Sequence, residues 1–145
     1  MRSFKILAAA LCLALPATTA LAQEAAPLVT VVTAENPQTQ LMAMVLTGQA
    51  MGQGHAVRVL LCGPGGDMAL ADAPEGVTAA QPPMGASPQG LLTQLLDNGA
   101  TVEVCAIYLP GLGADASVLI EGVTVAEPPA MAAAMAAEGS IVWSF

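Results

Sequence analysis

Two residue types in this chain could do covalent chemistry. Its 145 residues include three cysteines, Cys12, Cys62 and Cys105, and one histidine, His55. A thiol attacks only as the thiolate, and ionising it near neutral pH takes a neighbouring cation, a helix N-terminus or a metal. The three cations of the sequence are Arg2, Lys5 and Arg58, so cations are scarce around Cys62 and Cys105. His55 precedes an apolar run, Ala56 to Cys62, that reads as a strand. Seven extended residues at about 3.3 Å each put His55 roughly 20 Å from Cys62, at the opposite sheet edge. It is therefore not the base for either thiol within one subunit. A single histidine so placed also removes a Ser-His-Asp set and a Cys/His zinc site. No metal and no cofactor are expected.

The elements that must carry these residues follow from periodicity and breakers. Leu28–Thr33, Ala56–Cys62, Thr101–Tyr108, Val123–Ala126 and Ile141–Phe145 read as strands, the first β-branched and apolar throughout, as in a strand buried on both faces. Asn36-Pro37 opens a helix with Leu41, Met44, Val45, Gly48 and Met51 at helical spacing, closed by Gly52 and Gly54. Pro88–Asp97 and Pro128–Ala137 are further helices, the latter with Met131, Ala134 and Met135 inward. Short helical turns are expected at Met68–Ala71 and Asp115–Glu121. Asp72–Ser87, with Pro74, Gly76, Pro82, Pro83 and Gly85, reads as a long loop or lid. Met42, Met44, Met131 and Met135 fit core packing better than a copper site.

Alternating strands and helices predict a single three-layer, doubly wound α/β domain with about five mostly parallel strands. Sites in such sheets lie outside the carboxyl ends of the strands. That edge should carry Thr33, Glu35 and Asn36 after the first strand, Cys62, Gly65 and Asp67 after the second, and Cys105 and Tyr108 on the third. Asn36 also has a plain role as a helix cap. The Gly63–Gly66 turn lacks the Gly-Lys-Ser/Thr of a phosphate-binding loop. Cys62 could resolve or bridge Cys105. In the usual order, however, the first strand lies between the second and third. The two thiols would then be about 10 Å apart, too far for a disulfide. The same order puts Cys105 at the crevice where the winding reverses. Glu103 and Asp115 should raise a nearby thiol pKa, leaving a helix start near Asp115 as the local stabiliser of a thiolate. Arg58, between Val57 and Val59, marks an edge strand or a subunit contact, or pairs with a carboxylate.

The first 22 residues read as an address. Met1–Lys5 is a basic head, Ile6–Leu15 an apolar run too short to span a bilayer, and Ala20-Leu21-Ala22 supplies small residues before Gln23. A secretory signal cleaved after Ala22 is expected, leaving a domain over 23–145 that is periplasmic or secreted, with no membrane anchor. Cys12 is lost with the signal. Leu11 before it argues against lipidation. Arg58 is then the one cation against eleven carboxylates. Such a surface repels phosphate backbones, so nucleic acid is excluded as a partner. Tyr108 and Trp143 are too few for a base-stacking platform. With only 10% charged and 55% apolar residues, apolar surface should remain that a homo-oligomer would cover.

The order of these landmarks resembles the DsrE/DsrF-like family of small sulfur-relay and related proteins. The likeness rests on the buried first strand and polar turn (Val29–Asn36) and a helix ending in Gly-x-Gly-His. It continues with the strand running into a Gly-rich turn (Val57–Gly66), Asn98-Gly99-Ala100-Thr101-Val102-Glu103-Val104-Cys105, Glu121–Val123 and the short last strand. It covers essentially all of the chain after the signal. The resemblance implies the doubly wound fold, a trimer or hexamer, a protein partner in sulfur transfer, and a sulfur-carrying role for Cys105. Where relatives often have glycine after this cysteine and a cation a few positions on, this chain has Ala106 and then Ile107-Tyr108-Leu109-Pro110.

Overall fold

A computed structural model describes residues 25–145; the expected signal peptide and Cys12 lie outside the described residues. The elements run β1 (Leu28–Val32), α1 (Pro37–Gly52), β2 (Val57–Leu61), a 3-10 helix (Gly63–Ala69), α2 (Glu75–Thr78), α3 (Pro88–Asp97), β3 (Thr101–Val104), α4 (Tyr108–Leu112), a 3-10 turn (Ala116–Val118), β4 (Thr124–Val125), α5 (Pro128–Ala136) and β5 (Ile141–Ser144). The starts of α1 and α3 are set by caps the sequence displays. Asn36 accepts from the N–H groups of Gln38 and Thr39, and the Ser87 hydroxyl accepts from Gly90 N–H, each just before a proline at the first helical position. Among the described residues, no helix is long and apolar enough to cross a membrane.

The five strands form one parallel sheet in the order β4-β3-β2-β1-β5. The α/β class and the parallel sheet are as the sequence predicts, but the order is not. β2, not β1, is the neighbour of β3. From β1 to β4 the winding never turns back. Right-handed crossovers in one direction keep α1 and α3 on one face, where they pack side by side with Gly48 against Leu95. The winding reverses only at the last step. α5 therefore crosses the other face and delivers β5 to the far side of β1.

The two faces are covered unequally. Leu28, Val32, Val59, Leu61, Val102 and Val104 meet Met44, Ala43, Leu92 and Leu95 in the main core. A smaller cluster, Val29, Ala126 and Met131, lies on the other face, with Val31, Leu60, Ala134 and Met135 packed against it, so α5 faces inward as expected. The inner stripe of α1 is Gln40, Ala43, Met44, Thr47 and Ala50, while Met42 and Val45 are exposed. This shifts the expected stripe, because two polar side chains point inward and donate hydrogen bonds there, although Gln40 Oε1 is buried without a partner. Thr47 donates to Ala43 O (2.7 Å), and Thr30 from β1 then donates to Thr47 (2.9 Å). Gln40 Nε2 donates to Ala34 O (2.8 Å). The stretch Asp72–Ser87 is more ordered than a plain loop: it contains α2, whose Val77 is buried against its neighbours.

Candidate functional site

The sheet order changes the relation between the two described cysteines. β2 and β3 pair with Leu61 opposite Val104, and the ladder closes with Cys105 N–H donating to Leu61 O (2.8 Å). One position further on, each strand ends in a cysteine. Neighbouring strands lie about 4.8 Å apart, so Cys62 and Cys105 stand side by side rather than two strands apart. This corrects the expected separation: the spacing objection to a bond between them disappears. Both are free thiols and half-buried. Burial is the largest cause pushing the Cys62 thiol up to about 12, followed by its hydrogen bond to Cys105 and the charge there. Cys62 thus keeps its proton at neutral pH.

Cys105 does not lie at the crevice where the winding reverses. That crevice is between β1 and β5, and the chain fills it: Phe145 O accepts from Thr33 N–H (2.8 Å) and from the Thr33 hydroxyl (3.0 Å). The helix nearest Cys105 is α4, whose Tyr108 N–H donates to Cys105 O (2.8 Å), rather than a helix at Asp115. Asp115 instead caps the three-residue 3-10 turn, and its hydrogen bonds from Ser117, side chain first, hold the carboxyl below its usual range.

The other expected site residues lie toward the carboxyl edge, but Tyr108 is on α4 rather than on the third strand, which ends at Val104. Tyr108 Oη donates to Asp67 Oδ1 at 2.7 Å, joining α4 to the 3-10 helix after β2. Burial first, then that hydrogen bond and the Asp67 charge, raise the Tyr108 pKa, so the phenol stays neutral. Gly65 and Gly66 serve packing. A Cβ on Gly65 would overlap the backbone oxygen of Val32, and one on Gly66 would overlap the Tyr108 ring. The paired glycines were legible as a turn. Their tight fit under an aromatic ring was not, since the ring comes from a residue 41 positions from Asp67.

Two shallow clefts share Glu35, Pro64 and Asp67. One, of about 590 Å³, adds Asn36, Gln40 and Val77. The other, of about 460 Å³, adds Gly63, which follows Cys62, and Ile107, Tyr108 and Leu112 from the segment after Cys105. Carboxylates line both, and among the described residues neither contains a cation. A third groove of about 560 Å³ runs between α1 and α3, far from this chemistry and without a titratable group.

Arg58 is on the central strand β2, not on an edge. It sits there because its Nε lies 3.0 Å from Glu103 Oε2 on β3, across the less covered face. Glu103 Oε2 has no aligned hydrogen bond, so the pair is a charge contact. Four residues of strand separate Arg58 from Cys62, about 13 Å, too far to hold a thiolate. His55, at the other end of the sheet, donates from Nδ1 to Ala26 O (2.6 Å). Among the described residues, no group of three or more His, Cys, Asp or Glu side chains is placed to hold a metal ion.

No family model matches the chain, and no curated protein does. Two solved structures match it closely in fold. The ychN protein from E. coli superposes with a TM-score of 0.66 at 18% identity, over 83% of this chain and 99% of that one. A protein of unknown function from Methanobacterium thermoautotrophicum, MTH1491, superposes with a TM-score of 0.62 at 17% identity, over 82% and 99%. At such identities the likeness shows the fold alone, a small DsrE-like α/β fold.

Proposed function

We propose that this is an exported protein of DsrE-like fold whose Cys105 carries sulfur, loaded and unloaded by a protein partner. The observation that carries the reading is the half-buried Cys105 thiol at the carboxyl end of β3, the edge at which parallel α/β sheets present their sites. Glu35 and Asp67, rather than a cation, line the cleft at this edge, and a thiol is activated by a cation, a helix N-terminus or a metal beside it. A slow thiol suits a carrier charged by another protein better than an autonomous enzyme. Mass spectrometry of the protein purified from its own periplasm tests the reading. A mature chain beginning at Gln23, with a sulfur adduct on the Cys105 peptide, is the expected result. A bare Cys105 that takes up no sulfur from added polysulfide contradicts it.

A second reading is supported by the lack, among the described residues, of any cation beside Cys105. In it the fold is a non-catalytic binding or assembly module. Met42, Val45 and Leu46 form an exposed apolar stripe on α1, which a trimer or hexamer would cover. Light scattering at micromolar concentration separates an oligomer from a monomer.

A further inference from the structure

We infer that Cys62 is the resolving thiol for Cys105, so that the two work as a dithiol–disulfide couple toward small, uncharged or cationic organic disulfides. The inference rests on the preceding reading in taking Cys105 as the reacting sulfur, and adds a second residue and a substrate class. The register carries it. Leu61 faces Val104, and each strand continues into a cysteine. A disulfide needs Cα atoms about 4.4–6.8 Å apart, and neighbouring strands supply about 4.8 Å. Side chains at matching register positions of parallel strands leave the same face of the sheet. Both thiols are partly open to solvent and both are free. The substrate class follows from charge. Glu35 and Asp67 line the cleft beside Gly63 and Ile107, while Arg58 is occupied by Glu103. An anionic disulfide meets repulsion here and a cationic one does not.

The two roles are unequal. Cys105 makes the first attack, as the reacting sulfur of the preceding reading, and Cys62, whose thiol burial pushes up, follows as the resolving thiol from the neighbouring strand. Its thiolate attacks one sulfur of R–S–S–R. A Cys105–S–S–R bond forms, the substrate S–S bond breaks, and R–S⁻ leaves and is protonated by water. The Cys62 sulfur then attacks Cys105 Sγ. The Cys62–Cys105 bond forms, the bond to S–R breaks, and the Cys62 proton goes to the departing R–S⁻. The two cysteines are oxidised to a disulfide and the substrate is reduced to two thiols.

Cystamine is a suitable probe, with intact masses read after acid quenching. The protein carries Cys12→Ser so that two thiols remain, and it is compared with added Cys62→Ser or Cys105→Ser. The parent should become lighter by two hydrogens and keep no adduct. Cys62→Ser should accumulate a single adduct on Cys105, at least about ten-fold more than the parent at equal times, because intramolecular displacement is lost. Cys105→Ser should react about ten-fold or more slowly, since it keeps only the thiol that burial pushes up. A parent that retains one adduct on Cys105, or gains one on each cysteine, overturns the role of Cys62 while leaving the carrier reading intact. No reaction at Cys105 in any variant overturns both.

Discussion

The carboxyl edge of the sheet has two mouths, and they are built differently. Between β1 and β5, where the winding reverses, the mouth is closed by backbone: Thr33 N–H and hydroxyl both donate to Phe145 O. Between β2 and β3, where the winding runs straight on, the ladder stops one residue short of two thiols. Open α/β sheets usually bind ligands at the reversal. Here that position is sealed, and the two thiols stand at the ends of β2 and β3, two strand gaps along. The contrast teaches that a switch point offers a crevice, but the side chains and turns beyond the strands decide whether it stays open.

Substitutions at the two mouths should cost unequal amounts. The largest effect is expected from Gly66→Ala, which drives a methyl into the Tyr108 ring. A loss of about 2–3 kcal/mol in urea unfolding is predicted, as for overpacking, with Cys62 becoming easier to alkylate as α4 shifts. Arg58→Ala comes next. It leaves Glu103 largely buried without its partner, and partial exposure of the arginine limits the loss to about 1–2 kcal/mol. Replacing Glu103 with Gln in the same variant should recover part of it. Tyr108→Phe deletes the bond to Asp67 and should cost about 1 kcal/mol. Thr33→Val should cost at most about 0.5 kcal/mol, because the hydroxyl bond is exposed and the backbone N–H still holds Phe145 O. A Thr33→Val effect exceeding that of Gly66→Ala would invert the comparison.

Local features were legible in the sequence and long-range ones were not. Asn36-Pro37 and Ser87-Pro88 announce their helices because a cap is a contact between near neighbours. The strands were visible in their apolar, β-branched runs. Their order was not, because it depends on α1 and α3 sharing a face, a contact between Gly48 and Leu95 that no local pattern encodes. That single uncertainty displaced the site: it separated Cys62 from Cys105 and moved Arg58 to an edge. Gathering Asp67, Tyr108 and Glu35 at one rim needed only the rule about carboxyl ends. Joining Asp67 to Tyr108 needed the fold. The inward face of α1 was misread because Gln40 and Thr47 are polar by type, yet Gln40 Nε2 and the Thr47 hydroxyl donate to Ala34 O and Ala43 O inside the fold.

The unequal roles of the two thiols are tested most directly by iodoacetamide alkylation, read residue by residue from pH 6 to 9. The Cys62 thiol, pushed up to about 12, should remain almost wholly protonated across this range. Its slow labelling should rise about ten-fold per pH unit with no plateau by pH 9. Cys105 should label first at every pH, and Cys105→Ser should not speed labelling of Cys62 to the parent's Cys105 rate. Faster labelling of Cys62 than of Cys105, or a Cys105 that labels only after denaturation, would contradict the account.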